Sequence, residues 1–347
     1  MSRAGLPKQL IPFIDGKSLL RVAFDRFEGL LPADRRYLCA GLAHREAIFA
    51  ALPDLHPAQF LGEPQGRDTL NAVGLGAAVL ALRDPEAVIG VFTADHLIEP
   101  VAEFQQIIAQ GFDLVEKHPD MLATFGIAPT GPATGYGYLE LGDVLAGPAR
   151  AVRQFREKPP LALAHEYFQK GPERYLWNSG MFVWRARTLL DCIGRYEPEV
   201  YTGLSAVAQA WDTPQREEVL ARVYPTLKKI SVDFAVMEPA SRDPLVRVAA
   251  IPMPLAWLDV GSWPSFAQTC PRDEQNNALA AAEHLLTDTA DCLVASSDPR
   301  HLIALIGCRD LIVVHTPTAT LVCRADQAEQ IKQLQKEVLA RLGPEYA

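Results

Sequence analysis

The chain has no apolar run near the roughly 20 residues that would cross a bilayer, and its first residues lack the apolar core of a signal peptide. Both absences point to a cytoplasmic protein with no membrane partner. Cysteine is sparse and scattered. Six residues, Cys39, Cys192, Cys270, Cys292, Cys308 and Cys323, form no C-x-x-C pair, so reduced core thiols are expected rather than a disulfide framework or a zinc site. The eight histidines show no H-E-x-x-H or comparable ligand spacing, which leaves a histidine-held metal without support. Positive charge is short as well. Lys and Arg number 33 against 42 Asp and Glu, a net charge of -9. Affinity for phosphate backbones needs clustered cations, so no nucleic-acid partner is expected. Phosphorylated small molecules need only a few local cations and stay in play.

What the chain does have is a long alternation of strand-like and helix-like segments. At 347 residues, 49% of them apolar, it suffices for one large domain and a small second one. Apolar residues recur at helical spacing over 19–30, after Ser18 as a cap candidate. Strand-like runs follow at 37–40 and 59–61, with a helix over 44–52 between them. A helix over 69–82 is rich in Ala and Gly, residues that let a helix lie close to a sheet or a ligand. Its free N-terminal N–H groups suit an anion, although Asp68 equally suits a plain cap.

Residues 87–96 are an almost unbroken apolar run after Pro85 that ends in Asp95 and His96. The pattern predicts a strand buried on both faces of a parallel sheet. In open α/β sheets ligands bind beyond the carboxyl ends of the strands, so Asp95 stands where a metal or phosphate ligand is expected; the bland alternative is a turn former or helix cap. Helices over 101–117 and 161–170, with strands over 122–127, 152–155, 175–184 and 245–251, continue the alternation. It predicts an α/β protein with a doubly wound, mostly parallel mixed sheet. Asn178 is the polar outlier of its aromatic strand, and a buried amide needs partners. Ser231 caps a short helix over 232–238, of which Asp233 reads as a part. A polar run over 272–277 reads as a linker, followed by short β-rich runs and a closing helix over 326–342. The expected division is a large α/β domain at 1–270 and a small β-rich domain at 271–347.

Eight strings stand in order along this frame: Pro7-Lys8-Gln9, Glu63-Pro64-Gln65-Gly66-Arg67-Asp68-Thr69, Ala94-Asp95-His96, Thr134-Gly135-Tyr136-Gly137-Tyr138, Glu157-Lys158-Pro159, Trp177-Asn178-Ser179-Gly180-Met181-Phe182, Ser231-Val232-Asp233-Phe234-Ala235-Val236-Met237-Glu238 and Asp259-Val260-Gly261-Ser262-Trp263. Each alone is weak. Together they resemble mannose-1-phosphate guanylyltransferase, also known as GDP-mannose pyrophosphorylase, and the tail resembles the small C-terminal domain of the single-function bacterial form. The resemblance implies a Rossmann-like nucleotide-diphospho-sugar transferase fold. It implies that mannose 1-phosphate attacks the α-phosphorus of GTP to give GDP-mannose and pyrophosphate, with Mg²⁺ as cofactor. By the same likeness Asp95 and Asp259 ligate the metal and Lys8 meets the nucleotide phosphates, which makes these three the catalytic set. Gly135, Glu157 and Asn178 resemble the mannose-binding residues, with Lys158 near the sugar phosphate. Glu63, Gly66, Arg67, Asp68 and Tyr136 complete the substrate-binding set. Lys158 and Arg67 suit surface ion pairs equally well on sequence alone.

The chain departs from the family pattern twice. Family members open with a strand and the loop Gly-Gly-x-Gly-Thr-Arg-Leu-Trp-Pro, whereas this chain opens at Met1-Ser2-Arg3, where that motif would be ending. The expectation is a start placed late, at an internal methionine, with poor folding and little turnover for the short chain alone. The second departure is Asp68-Thr69-Leu70-Asn71 in place of Asn-Thr-Ala-Pro, which bears on base preference. The alternatives are a pyrophosphorylase for another sugar 1-phosphate or nucleotide, and a non-catalytic sugar-nucleotide binder or regulatory subunit. A homodimer through the β-rich tail is plausible.

Overall fold

The structure, a computed structural model, describes residues 8–10, 12–14, 17–343 and 346. Pro7 and the opening Met1-Ser2-Arg3 lie outside these residues. Contacts divide the chain into two units, one of Phe24–Ala94 and Ile98–Trp257, the other of Met1–Ala23, Asp95–Leu97 and Leu258–Ala347.

The larger unit is built on a six-stranded sheet in the order Val88–Val91, Tyr175–Arg185, Met121–Ile127, Arg247–Pro252, Ala149–Arg156, Tyr138–Ala146. Side chains alternate across a strand. On one face Leu122, Val248, Ala250, Phe182 and Trp184 join a core with the helices Thr69–Arg83, Ala186–Tyr196 and Pro198–Ala210. On the other, Met121, Ala123, Phe125, Val183, Ala249 and Ile251 pack with Val101–Lys117 and Leu161–Lys170. Both faces are therefore apolar, which is why these strands read as continuous hydrophobic runs. Burying one Phe125-sized side chain contributes about 2–3 kcal/mol. The small residues of Thr69–Arg83 have a specific use. A β-carbon on Gly74 would lie 2.5 Å from Leu204 Cδ1, so the glycine lets Pro198–Ala210 approach.

The α/β class stands, but the balance of the sheet differs from the sequence expectation. Among the described residues the only parallel ladder in this sheet joins Met121–Ile127 to Arg247–Pro252; the others are antiparallel. Strand–helix alternation suggests helical crossovers throughout, and it hides the hairpin Tyr138–Ala146/Ala149–Arg156 and the reversed direction of Tyr175–Arg185. The predicted strand over 87–96 is likewise corrected. Val88–Val91 is the part of it that joins this sheet, and His96 opens a separate strand, His96–Glu99; Val88–Val91 runs antiparallel to Tyr175–Arg185 at the end of the sheet order and is half-buried rather than covered on both faces. After Val91 the chain leaves the sheet.

The smaller unit stacks short parallel strands. Ala278–Ala280, Leu293–Ser296 and Leu311–Thr316 pair in parallel, as do Glu283–Thr287 and Leu302–Ile306. Leu293, Ala295, Ile312 and Val314 fill one core and Val294, Ile303 and Val313 another. The polar run over 272–277 is no linker. Asn277 is fully buried; its Nδ2 donates to Asp273 Oδ2 and to the Thr289 carbonyl, both at 2.9 Å, and its Oδ1 accepts from the Cys292 N–H at 3.0 Å. The polar composition serves a closed hydrogen-bonded turn. Asn277→Ala strands the Thr289 carbonyl and the Cys292 N–H, both in buried residues, and lowers stability by about 3 kcal/mol, a loss to be read from urea unfolding.

Candidate active site

The sequence-predicted residues fall into two sets, each inside one unit. In the smaller unit the Val260 N–H donates to the Asp95 carbonyl at 2.9 Å, which fixes the two carboxylate-bearing segments side by side. Lys8, on the turn Lys8–Leu10, sends its ammonium to Asp95 Oδ2 and to the Val260 carbonyl, both at 2.9 Å. Asp95, His96 and Asp259 each bring a ligand atom within 4.8 Å of the others. Burial first, and then the charge of Asp95, push the Asp259 carboxyl above its usual range, with Lys8 acting in the opposite direction. Two close carboxylates repel, and a cation between them relieves the repulsion. Two carboxylate oxygens with an imidazole nitrogen form a donor set that suits a divalent cation. His96 is the member that ligand spacing missed, because it follows Asp95 directly and belongs to no spaced motif. Gly261 allows the carboxylate its place: a β-carbon there would lie 3.0 Å from Asp259 Oδ1.

In the larger unit Asn178 stands at a bulge. Its strand pairs Asn178 with Gly126 and Phe182 with Thr124, so four steps on one strand face two on the other. Gly180 makes the bulge feasible with a φ of +70°, a conformation in which other residues are strained. Asn178 is buried. Its Oδ1 accepts from the Thr124 hydroxyl at 2.7 Å, its Nδ2 donates to Asp233 Oδ1 at 2.9 Å, and its N–H donates to the Gly137 carbonyl at 2.8 Å. Glu157 closes the strand Ala149–Arg156; it is buried, and its Oε1 pairs with Lys158 Nζ at 2.9 Å while Glu238 Oε2 accepts from its N–H at 3.2 Å.

Gly137, not Gly135, is the glycine this arrangement needs. A β-carbon on Gly137 would stand 2.5 Å from Glu157 Oε2 and 2.8 Å from Phe155 Cζ, whereas Gly135 is exposed with open space before it. Gly137→Ala is therefore expected to displace Glu157 and lower the melting temperature, whereas Gly135→Ala has no steric contact to make; paired thermal unfolding checks the contrast. Tyr136 is half-buried, its ring 5.0 Å from Trp177 and 5.3 Å from Trp257.

The loop before Thr69–Arg83 is organised differently. Asp68 caps that helix, its Oδ1 accepting from the Thr69 N–H at 2.8 Å, at a φ of 68°. Glu63 is turned away from solvent: its Oε1 accepts from the Tyr224 hydroxyl at 2.7 Å, and burial raises its pKa. Arg67 lies beside Gln65, whose amide oxygen is 2.8 Å from Arg67 Nε in the orientation that satisfies both groups. Gly66 is exposed with open space around it. The structure thus gathers Asn178, Glu157, Lys158 and Asp233, and sets Glu63 apart beneath the loop. Thr124, Gly137, Tyr224 and Asp233 escaped sequence reasoning as site residues. A lone hydroxyl in the otherwise apolar strand Met121–Ile127 was the available signal for Thr124.

Among the described residues no helix is long and apolar enough to cross a membrane. Residues 3–276 match the nucleotidyl transferase family, and residues 282–339 match the MannoseP isomerase/GMP-like beta-helix domain. The xanthan biosynthesis protein XanB of Xanthomonas campestris pv. campestris is 32% identical over 97% of this chain and 70% of its own length. A putative mannose-1-phosphate guanylyltransferase of Vibrio cholerae is 30% identical over 100% of this chain and 72% of its own length. The crystal structure of a protein described as mannose-1-phosphate geranyltransferase from Thermus thermophilus superposes with a TM-score of 0.82 at 29% identity, covering 97% of this chain and 94% of that one. The chain is a member of the nucleotidyl transferase family, within its mannose-1-phosphate guanylyltransferase group.

Proposed function

We propose that this protein is a cytoplasmic enzyme that transfers the guanylyl group of GTP to mannose 1-phosphate, releasing pyrophosphate and leaving GDP-mannose. The observation that carries the reading is the gathering of Asp95 and Asp259, far apart in sequence, with the Lys8 ammonium 2.9 Å from Asp95. In this reaction an oxygen of the sugar phosphate forms a bond to the α-phosphorus while the bond from that phosphorus to the bridging oxygen breaks. Catalysis of such a transfer is mostly alignment and charge neutralisation.

Asp95 and Asp259, with His96 at hand, would hold Mg²⁺. When bound, the ion supplies charge neutralisation to phosphate oxygens. Lys8 offers a second positive charge to the nucleotide phosphates. Glu157 and Asn178 accept hydrogen bonds from sugar hydroxyls in fixed directions, and Lys158 meets the sugar phosphate. Gly66, Arg67 and Asp68 line the nucleotide, Glu63 shapes the loop from below, and Gly135 and Tyr136 border the sugar. The same reading divides the chain into a transfer domain at 1–270 and a small domain at 271–347. It includes a homodimer, supported by the exposed Leu334, Leu339 and Leu342 on the helix Ile331–Leu342.

Pyrophosphate release measured over a grid of sugar 1-phosphates and nucleoside triphosphates tests the assignment. Highest kcat/KM for mannose 1-phosphate with GTP is expected. Equal or better use of glucose 1-phosphate with UTP or dTTP would overturn it, and GDP-mannose binding without any turnover would favour a binder.

A further inference from the structure

Asp233 has no role in the reaction described above, yet it is built into the sugar-site set. The two ends of an asparagine amide have nearly the same shape and opposite hydrogen bonding: the oxygen accepts and the nitrogen donates. Neighbours decide which end points where. For Asn178 these are the Thr124 hydroxyl, 2.7 Å from Oδ1, and Asp233 Oδ1, 2.9 Å from Nδ2. Threonine alone does not decide the matter, because its single proton also reaches the Met181 carbonyl at 3.0 Å. With the proton there, Thr124 Oγ1 is free to accept from a flipped amide. An ionised carboxylate only accepts, so Asp233 is the partner that forbids the flip. Its segment is anchored independently of Asn178. The Val232 N–H donates to Thr69 Oγ1 at 3.0 Å, the Leu70 N–H to the Ile230 carbonyl at 3.2 Å and Asn71 Nδ2 to the Lys228 carbonyl at 2.8 Å.

The geometry points to Asp233 as a positioning residue for sugar recognition: its carboxylate locks the Asn178 amide in the orientation that the sugar hydroxyls meet, and its protonation releases the lock. This rests on the reading of Asn178 as a mannose-binding residue. The charged groups facing Asp233 are Glu157 and Lys158, from beyond the strand Ala149–Arg156, with Asp68 acting on Lys158 from the start of Thr69–Arg83. Burial first, then the charge of Glu157, push the Asp233 carboxyl up to about 7, against the pull of Lys158 and of the Asn178 hydrogen bond. Burial also works against the Lys158 ammonium, but pairing with Glu157 and the charges of Asp233 and Asp68 outweigh it and keep the amine above its usual range. A protonated Asp233 donates rather than only accepts, so the flipped amide becomes compatible with both neighbours.

The test has a spectroscopic arm and a kinetic arm. Protein labelled with [15N]asparagine carries four side-chain NH₂ pairs, from Asn71, Asn178, Asn276 and Asn277, and Asn178→Asp identifies that of Asn178 by its loss. The Asn178 pair is expected to titrate with a midpoint near pH 7, and Asp233→Asn to abolish the titration. In kinetics Asp233→Asn raises the KM for mannose 1-phosphate about tenfold, as loss of one oriented hydrogen bond implies, and flattens the acid limb of its pH profile. The KM for GTP stays at the parental value. The substitution removes a buried charge, so it is not expected to impair folding. An Asn178 pair indifferent to pH, or an Asp233→Asn enzyme with the parental sugar KM and pH profile, would overturn the inference. A parent inactive with mannose 1-phosphate would overturn the functional reading instead, and the NMR arm would still decide the lock.

Discussion

Asp259→Asn lowers turnover by on the order of a hundredfold or more, with little change in far-UV circular dichroism or in the melting temperature. The side chain keeps its size, but the second anion facing Asp95 is gone, and with it half of the oxygen donor charge available to a divalent cation. A hundredfold corresponds to about 2.7 kcal/mol of lost transition-state stabilisation. Burial and Asp95 already hold the Asp259 carboxyl above its ordinary pKa, so the ionised pair is costly for the empty protein and the neutral amide is not. Stability is thus expected to hold or rise slightly while activity collapses. The sign for pH follows from the same shift. A carboxyl whose folded pKa is raised destabilises the fold as pH climbs from its unfolded value through its folded one, and Asn removes that dependence. Titrating Mg²⁺ or Mn²⁺ into parent and variant separates metal loss from misfolding: a variant restored to parental turnover at saturating metal would show that Asp259 contributes affinity alone, and one unchanged at all metal concentrations would remove it from the site.

Asn178→Ala raises the KM for mannose 1-phosphate by about tenfold or more and leaves the KM for GTP unchanged. The amide is buried at the bulge and makes two side-chain hydrogen bonds, to Thr124 and Asp233. Removing it leaves Asp233 without its donor and takes away the oriented partner proposed for the sugar. Glu157→Gln gives a milder version of the same split, because Gln retains an acceptor oxygen but gives up the Lys158 ion pair. Equal increases in both KM values, or a loss confined to kcat, would mean that this set does not read the sugar. Steady-state kinetics with each substrate varied in turn provides the check.

Much of this was legible in the sequence because local chemistry dictated it. The apolar runs of Met121–Ile127 and Arg247–Pro252 are strands that face a core on either side, and the helices Val101–Lys117 and Leu161–Lys170 begin and end where periodicity set them. The order of short motifs pointed to Lys8, Asp95 and Asp259 and to Glu157 and Asn178, and the structure brings each group together within its own unit. Strand direction was not legible, since an apolar run carries no mark of parallel or antiparallel pairing. The partners of buried groups were equally hidden. Tyr224 meets Glu63, and Asp233 meets Asn178, across chain separations that no local pattern encodes. Asn277 shows the same limit in reverse: its polar neighbourhood reads as a linker until the hydrogen bonds that close it are seen.

The most direct measurement follows two labels through one reaction. The protein is incubated with Mg²⁺, mannose 1-phosphate and GTP carrying 32P at either the α or the γ position, and the products are separated. Attack at the α-phosphorus sends the α label into GDP-mannose and the γ label into pyrophosphate. The γ label in the sugar product, or no label transfer from either position, would contradict guanylyl transfer.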